Sequence, residues 1–485
     1  MQGGKREGAG RNELPENEKK TGCKLYITNK LINDINMYAS GDSFSEKCRS
    51  LIETQIQLLK DDINRPIRFI DLFAGLGGIR LGFEQALHEK GLETQCVFSS
   101  EIKEYAIKAY ENYFQGEKVS GDITTIKSNS IDDFDFLLAG FPCQPFSSAG
   151  KGLGFTDTRG TLFFEIERII MNKKPYGFLL ENVEGLVNHN KGKTLEVIID
   201  KLERLDYEVS WKLLDSKYFG MAQSRKRVYI VGTKKYKINL DNFPVSTQVL
   251  GDILEHGIPT VNSLFTKKLF KNFKPEEVIG KAIKDKRGGT DNIHSWEIEL
   301  KGETTQEQRI LLNKLLRERR KKKWAEEIGI DWMDGMPLTL NQIQTFINSP
   351  DIEDSLNDLV NKGYLKIEYP RKLVEDKRVP DTTKPKGYNI VAGKLSFEFT
   401  KILDPNRLAP TLVAMDVSRL GVVDNGGLRR LTIREAQRLS GFPEDYDLSF
   451  LKEKEAFDLL GNTVCIPVIK EIAKRLAVSY INNNS

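Results

Sequence analysis

Apolar and polar positions along this chain follow two repeats that alternate between residues 66 and 235. Short apolar runs predict strands at Ile67 to Phe73, Gln95 to Ser99, Phe134 to Ala139, Phe178 to Leu180, Tyr207 to Leu214 and Arg227 to Val231. Stretches with apolar residues at helical spacing fall between them, at Ile79 to His88, Tyr105 to Phe114, Thr161 to Met171 and Leu195 to Leu205. A further strand end is expected at Gly121-Asp-Ile123. Strands alternating with helices imply an α/β fold, a parallel sheet with helices on both faces. Ligands of such sheets sit beyond the carboxyl ends of the strands. Asp71, Gly75, Glu101, Asp122, Cys143 and Glu181 all fall at such ends, which predicts one shared site.

Outside that core the pattern changes. Residues 1–23 are rich in Gly, Lys, Glu and Asn and are expected to form a disordered tail. From Lys24 to Thr28 the chain reads as a short strand. A helix at Asn29 to Ala39, a turn at Ser40-Gly-Asp-Ser43 and a second helix from Ser45 follow. This 24–62 stretch is similar to a ribbon-helix-helix module, which implies dimerisation through residues 24–60 and DNA contact; a helical cap or dimer arm without DNA contact is the alternative. In the middle, Lys314 to Trp324 is a basic run ending in an aromatic, suited either to tracking phosphates or to being a solvated helix face. Leu338 to Phe346, Ile352 to Lys362, Gly363 to Ile367 and Gly387 to Ile390 resemble the helix, helix and wing strands of a winged-helix insert. Near the end, Thr432 and Glu435 form a capping box, and Ile466 to Tyr480 predicts a helix packing on the sheet.

The composition narrows the class. A hydrophobic fraction of 39% permits a sizeable core, and the 29% of charged residues leave no apolar run long enough for a membrane span. The polar N-terminus predicts no secretory signal. The five cysteines, Cys23, Cys48, Cys96, Cys143 and Cys465, are scattered, with no CxxC or Cys/His pair; no metal site or disulfide framework is expected, and a cytoplasmic location fits. The net charge of +4 gives no whole-chain argument for nucleic acid.

Two stretches carry chemistry. The Gly75-Leu-Gly77-Gly78-Ile-Arg80 turn has Arg80 where a dinucleotide fingerprint needs a small residue, and it lacks the Lys-Ser/Thr of a phosphate loop. It suits close approach to a ligand without a pyrophosphate. Glu101 is placed to hold a ribose diol and Asp122 an adenine amine, with helix capping as the alternative for each. A phosphate-free adenosine ligand points to S-adenosylmethionine. The second stretch, GFPCQPFSSAG at 140–150, presents Cys143 from a turn stiffened by Pro142 and Pro145, where an α/β enzyme keeps a nucleophile. Taken alone, it is better explained as a structural cysteine in a tight turn.

Together the stretches resemble the DNA (cytosine-5)-methyltransferase family of bacterial restriction-modification systems. The matching stretches are DLFAGLGG at 71–78, GDIT at 121–124, GFPCQPFS at 140–147, ENVEG at 181–185, QSRKR at 223–227, RRLTIREAQRLSGFP at 429–443 and GNTVCIPV at 461–468. They keep the family's order and span roughly half the chain. The resemblance implies an S-adenosylmethionine-dependent, Rossmann-like catalytic domain in two pieces, 66–236 and 428–485, with a target-recognition domain at 237–427. It implies methyl transfer to carbon 5 of a flipped-out cytosine in double-stranded DNA, with Cys143 as nucleophile, Glu181 on the ring edge, and Arg227 and Arg225 on the base carbonyl, a phosphate or Glu181. Cofactor contacts implied are Phe73, Gly75, Gly77, Glu101, Asp122, Ile123, Pro142, Leu162, Asn462 and Thr463. DNA contacts implied are Gln144, Ser147, Lys151 and Gln223. A cognate restriction endonuclease is the implied functional, not physical, partner. Two other readings remain at this point: an RNA methylase of the same architecture, against which the large middle region speaks, and a DNA-binding regulator acting through residues 24–60.

Overall fold

The structure is a computed structural model that describes residues 24, 26–142, 162–286, 289, 291–374, 377–391, 397–414 and 416–484. The chain divides into two units, Met1–Arg65 and Pro66–Ser485. In the first, helices α1 (Asn29–Tyr38) and α2 (Phe44–Asn64) are separated by a short turn. Thr28 caps α1 by accepting from Leu31 N–H, and Ser43 with Glu46 forms a capping box on α2. Ile35 is its buried apolar side chain among the described residues. The strand expected just before α1 is not formed: Tyr26, Ile27 and Thr28 carry no strand pairing.

The second unit begins with β1 (Ile67–Leu72), α3 (Gly78–His88), β2 (Thr94–Ser100), α4 (Glu104–Tyr113) and β3 (Phe136–Gly140). It continues with α5 (Leu162–Lys173), β4 (Gly177–Val183), α6 (Lys193–Glu203), β5 (Glu208–Asp215) and β6 (Lys226–Thr233). The strands form one sheet in the order β2-β1-β3-β4-β6-β5. β2, β1, β3 and β4 are parallel, as expected, but β6 runs antiparallel to both β4 and β5, so the sheet is mixed. No α-helix separates β5 from β6, only a connection with one 3₁₀ turn at Ser216–Tyr218, and without a crossover the chain must reverse direction. The strand end expected at Gly121 to Ile123 is also absent. A single bridge joins Ser100 and Ser120, and Asp122 then turns the chain into a 3₁₀ turn at Ile123–Thr125.

After β6 come α7 (Leu264–Asn272), α8 (Pro275–Val278), β7 (Ala282–Ile283), β8 (Asn292–Ile293), α9 (Gln306–Glu318) and α10 (Lys323–Ile328). Next are α11 (Leu340–Gln344), α12 (Ile352–Asn361), β9 (Leu365–Glu368), β10 (Arg371–Val374), β11 (Lys377–Pro380) and β12 (Gly387–Ile390). The chain closes with β13 (Lys401–Ile402), β14 (Leu420–Asp424), β15 (Gly427–Arg430), α13 (Ile433–Arg438), α14 (Glu453–Asn462) and α15 (Ile466–Asn484). β9 and β12 pair antiparallel, with the β10–β11 hairpin between them in sequence. The basic run Lys314 to Trp324 is not a continuous exposed face. The helix breaks after Glu318, Trp324 is buried with Leu311 and Leu315, and buried Arg319 donates to Asn389 Oδ1. The aromatic that completed a nucleic-acid signal is core.

Alternation along the strands explains the layering. Phe69, Phe136, Leu138 and Leu179 face α3 and α15, while Ile70, Leu72, Leu137, Ala139, Phe178 and Leu180 face α5 and α6. α3 and α15 pack so closely that a Cβ on Gly82 would lie 2.7 Å from Ile469 Cβ. That packing brings the C-terminal segment back to the N-terminal end of α3, where the site lies.

Candidate active site

The site begins at the carboxyl end of β1. Phe73 and Gly75 both take left-handed backbone, with φ of +57° and +53°. The three glycines of the turn differ in purpose. A Cβ on Gly77 would strike Phe114 at 2.5 Å, and one on Gly78 would meet Val464 at 2.9 Å and Thr463 Oγ1 at 3.1 Å. Those two are small so that α4 and the 463–464 turn can pack on the start of α3. At Gly75 the side-chain position is open, with Phe73 O at 4.0 Å the nearest atom, so this residue faces free space.

Glu101, at the end of β2, locks the turn to α4. Its Oε2 accepts from Gly75 N at 3.0 Å, and its Oε1 accepts from Ile102 N at 2.8 Å and Lys103 N at 2.9 Å. These bonds go to the residues before α4 and not to its first-turn N–H groups, so Glu101 does not cap that helix. Asp122 is exposed and caps its own turn through Thr124 N. Ile123 is buried, Leu162 half-buried and Pro142 exposed. Asn462, at the end of α14, donates to Asp458, whose carboxylate also accepts from Lys103 Nζ at 2.7 Å and Tyr105 Oη at 2.6 Å. Asp458 thus ties the C-terminal segment to the start of α4. No sequence motif pointed to it. The side chains at this edge are acidic, and Lys103 is committed to Asp458, so among the described residues no cation there is placed to neutralise phosphates. It fits a phosphate-free adenosine carrying a positive centre.

The second half of the site lies where β3, β4 and β6 meet. Glu181 pairs in register with Gly140 on one side and Tyr229 on the other. It is buried, and Arg227 Nε donates to its Oε1 at 2.9 Å. Burial pushes the Glu181 carboxyl up from its ordinary range, against the opposing pull of Arg227 and Arg225. Asn182, given no role by sequence reasoning although it lies within ENVEG, donates to Phe141 O at 2.9 Å. That bond fixes the backbone two residues before Cys143. Cys143, Gln144, Ser147 and Lys151 lie outside the described residues.

Two expected contacts are corrected. Gln223 is buried, its Nε2 donating to Leu439 O at 2.9 Å and its Oε1 accepting from Leu412 N at 2.8 Å. Both ends of the amide are used inside the protein, so it does not face DNA. Arg225 is likewise buried, donating to Leu412 O, Gly461 O and Thr463 O at 2.8, 3.2 and 2.5 Å. Its two terminal nitrogens join the start of β6 to the 411–412 segment and the 461–463 turn, while its Nε has no hydrogen-bond partner among the described residues. Arg227 keeps the position beside Glu181.

The family model for C-5 cytosine-specific DNA methylases matches residues 67–477. The chain belongs to that family. It is a DNA (cytosine-5)-methyltransferase. It is 57% identical over 417 residues to the type II methyltransferase M.NlaIV of Neisseria lactamica, covering 84% of this chain and 98% of that one. It is 55% identical, with the same coverage, to M.NgoBV of Neisseria gonorrhoeae. Against M.BanI of Aneurinibacillus aneurinilyticus the identity is 43% over 443 residues, covering 86% of this chain and 97% of the relative. The match spans the six-stranded sheet, the middle region and most of the C-terminal segment. No described helix of the methyltransferase is long and apolar enough to cross a membrane.

Proposed function

We propose that this methyltransferase moves a methyl group from S-adenosylmethionine to carbon 5 of one cytosine within a specific double-stranded DNA sequence. The cytosine is flipped out of the duplex, because its ring atoms are inaccessible while stacked. The single observation that carries the reading is buried Glu181, its carboxyl pushed toward the protonated form, paired with Arg227 and adjoining the Gly140 end of β3.

The Cys143 thiolate forms a bond to ring carbon 6, and the electron pair of the 5,6 double bond becomes available at carbon 5. Glu181, carrying a proton, hydrogen-bonds ring nitrogen 3 and favours that addition. Arg227 orients Glu181. When bound, the cofactor supplies an electrophilic methyl group on its sulfonium. Phe73, Gly75, Gly77, Glu101, Asp122, Ile123, Pro142, Leu162, Asn462 and Thr463 hold it at the sheet edge. Loss of the carbon 5 proton to a base then returns an electron pair to the ring, and the bond to Cys143 breaks. Residues 237–427 read the DNA sequence. Methylation protects host DNA from a cognate restriction endonuclease; the type II methyltransferase names of its relatives support this last step.

Incubation with methyl-labelled S-adenosylmethionine and genomic DNA tests the reading. The expected result is label in DNA as 5-methylcytosine within one sequence context, and no label with Cys143→Ser. Label in transfer RNA and none in duplex DNA would refute it.

A further inference from the structure

The insert between α9 and β12 carries two stretches of opposite charge. The stretch from Asp351 to Lys362, containing α12, has four acidic residues and one lysine. Between Tyr364 and Ile390 there are seven Lys and Arg against four acidic residues. The β10–β11 hairpin holds four of those cations, Arg371, Lys372, Lys377 and Arg378, and its eight strand residues are all exposed. The turn residues Glu375 and Asp376 lie outside the described residues.

The register sorts the hairpin into two faces. Arg371 pairs with Pro380 and Leu373 with Arg378, so these four share one face. Lys372 and Lys377 share the other, and Lys372 is paired with Asp381 at 3.3 Å. Neither Arg371 nor Arg378 has an acidic partner among the described residues. Two arginines on one face of an exposed ribbon, without carboxylates among the described residues to neutralise them, match a pair of phosphates. A helix as acidic as α12 is repelled by the same phosphates.

We propose that the Arg371–Arg378 face of the hairpin is a duplex-DNA backbone contact, and that the insert meets DNA through this hairpin and not through α12. The contact positions the enzyme on DNA and carries no sequence information. It rests on duplex DNA being the substrate.

The test is equilibrium binding of the full chain to cognate and unrelated duplexes across a salt series. Each phosphate contact contributes about 0.9 to the slope of log affinity against log salt. The double variant Arg371→Gln/Arg378→Gln should therefore lower the slope by about 1.8 on both duplexes, so that the advantage of the unaltered enzyme shrinks about tenfold between about 50 and about 200 mM salt. Arg371→Lys/Arg378→Lys should retain most of the slope. Glu353→Gln/Asp354→Asn on α12 should lose no affinity. Unchanged slope in the glutamine variant, loss confined to the cognate duplex, or lysine variants as weak as the glutamine ones would overturn the proposal. Failure of the underlying reading looks different: the unaltered chain itself would bind no duplex. Both arginines are exposed, and an unchanged thermal transition separates a binding defect from misfolding.

Discussion

Arg227 Nε donates to Glu181 Oε1 at 2.9 Å across neighbouring antiparallel strands. The pairing is diagonal: Arg227 stands opposite Val183, and Glu181 opposite Tyr229. Both side chains are withdrawn from solvent, so the guanidinium acts on a carboxyl that burial already drives toward its neutral form. Glu181 is held in one orientation, and its protonation is set by two opposed effects of which burial is the larger.

Arg227→Gln removes a charge that lowers the Glu181 pKa, so that pKa rises further. A reaction needing protonated Glu181 then persists to higher pH. The limb of the kcat/KM profile that falls with rising pH should move upward, while the rate at its maximum drops by about tenfold or more because Glu181 is less well oriented. The pH profile of single-turnover methyl transfer checks this, and a limb that stays in place or moves down contradicts it.

Gln223→Leu leaves Leu412 N and Leu439 O without their partners in a buried setting. A stability loss of about 2 kcal/mol is expected in denaturant unfolding. The salt dependence of DNA binding should not change. A variant as stable as the parent but weakened on DNA would restore Gln223 as a DNA contact.

Gly78→Ala drives a Cβ against Val464 and Thr463 Oγ1. The 463–464 turn must retreat, and with it Asn462. KM for S-adenosylmethionine should rise by about tenfold, with a smaller effect on KM for DNA. Equal KM values in variant and parent would show that this packing does not shape the cofactor edge.

Asp71 ends β1 fully buried, and burial pushes its carboxyl up to about 8 from the ordinary 3.8. Arg80 pulls the other way, but its guanidinium is already engaged by Glu84, Glu117 and Tyr110. Between those two values the unfolded chain has released a proton that the folded chain retains. Folding stability therefore falls as pH rises through that window. Asp71→Asn should remove this dependence, stabilising the chain by about 1 kcal/mol or more at pH 9, with a gain that shrinks toward pH 4. Thermal unfolding across pH measures it, and a gain independent of pH contradicts the assignment.

Much of the sheet was readable because β1, β3 and β4 are buried on both faces, which makes them apolar runs, and the helices between them keep one apolar side. Strand direction was not readable: nothing in the alternation of β6 says that it runs against its neighbours. The segment around Asp122 looked like a strand end because one bridge and one acidic turn residue resemble one. Glu181 and Arg227 were recognisable as a pair of motifs, but the same motif placed Gln223 at the DNA when its amide is spent on backbone groups, and gave Arg225 a catalytic role when two of its nitrogens bind backbone carbonyls. Type and spacing do not tell which member of QSRKR points inward. The β10–β11 hairpin escaped notice because both its faces are exposed, so it has no apolar alternation to detect.

Cys143 is proposed to form a transient bond to carbon 6 of the target base. Replacing cytosine by 5-fluorocytosine in an otherwise ordinary duplex library tests it, since fluorine cannot leave as the proton does and the final elimination is blocked. With S-adenosylmethionine present, digestion and mass spectrometry should find the fluorinated, methylated base attached to Cys143, with no adduct in Cys143→Ser. Steady methylation of normal DNA alongside an absent adduct, or an adduct on another residue, would contradict the account.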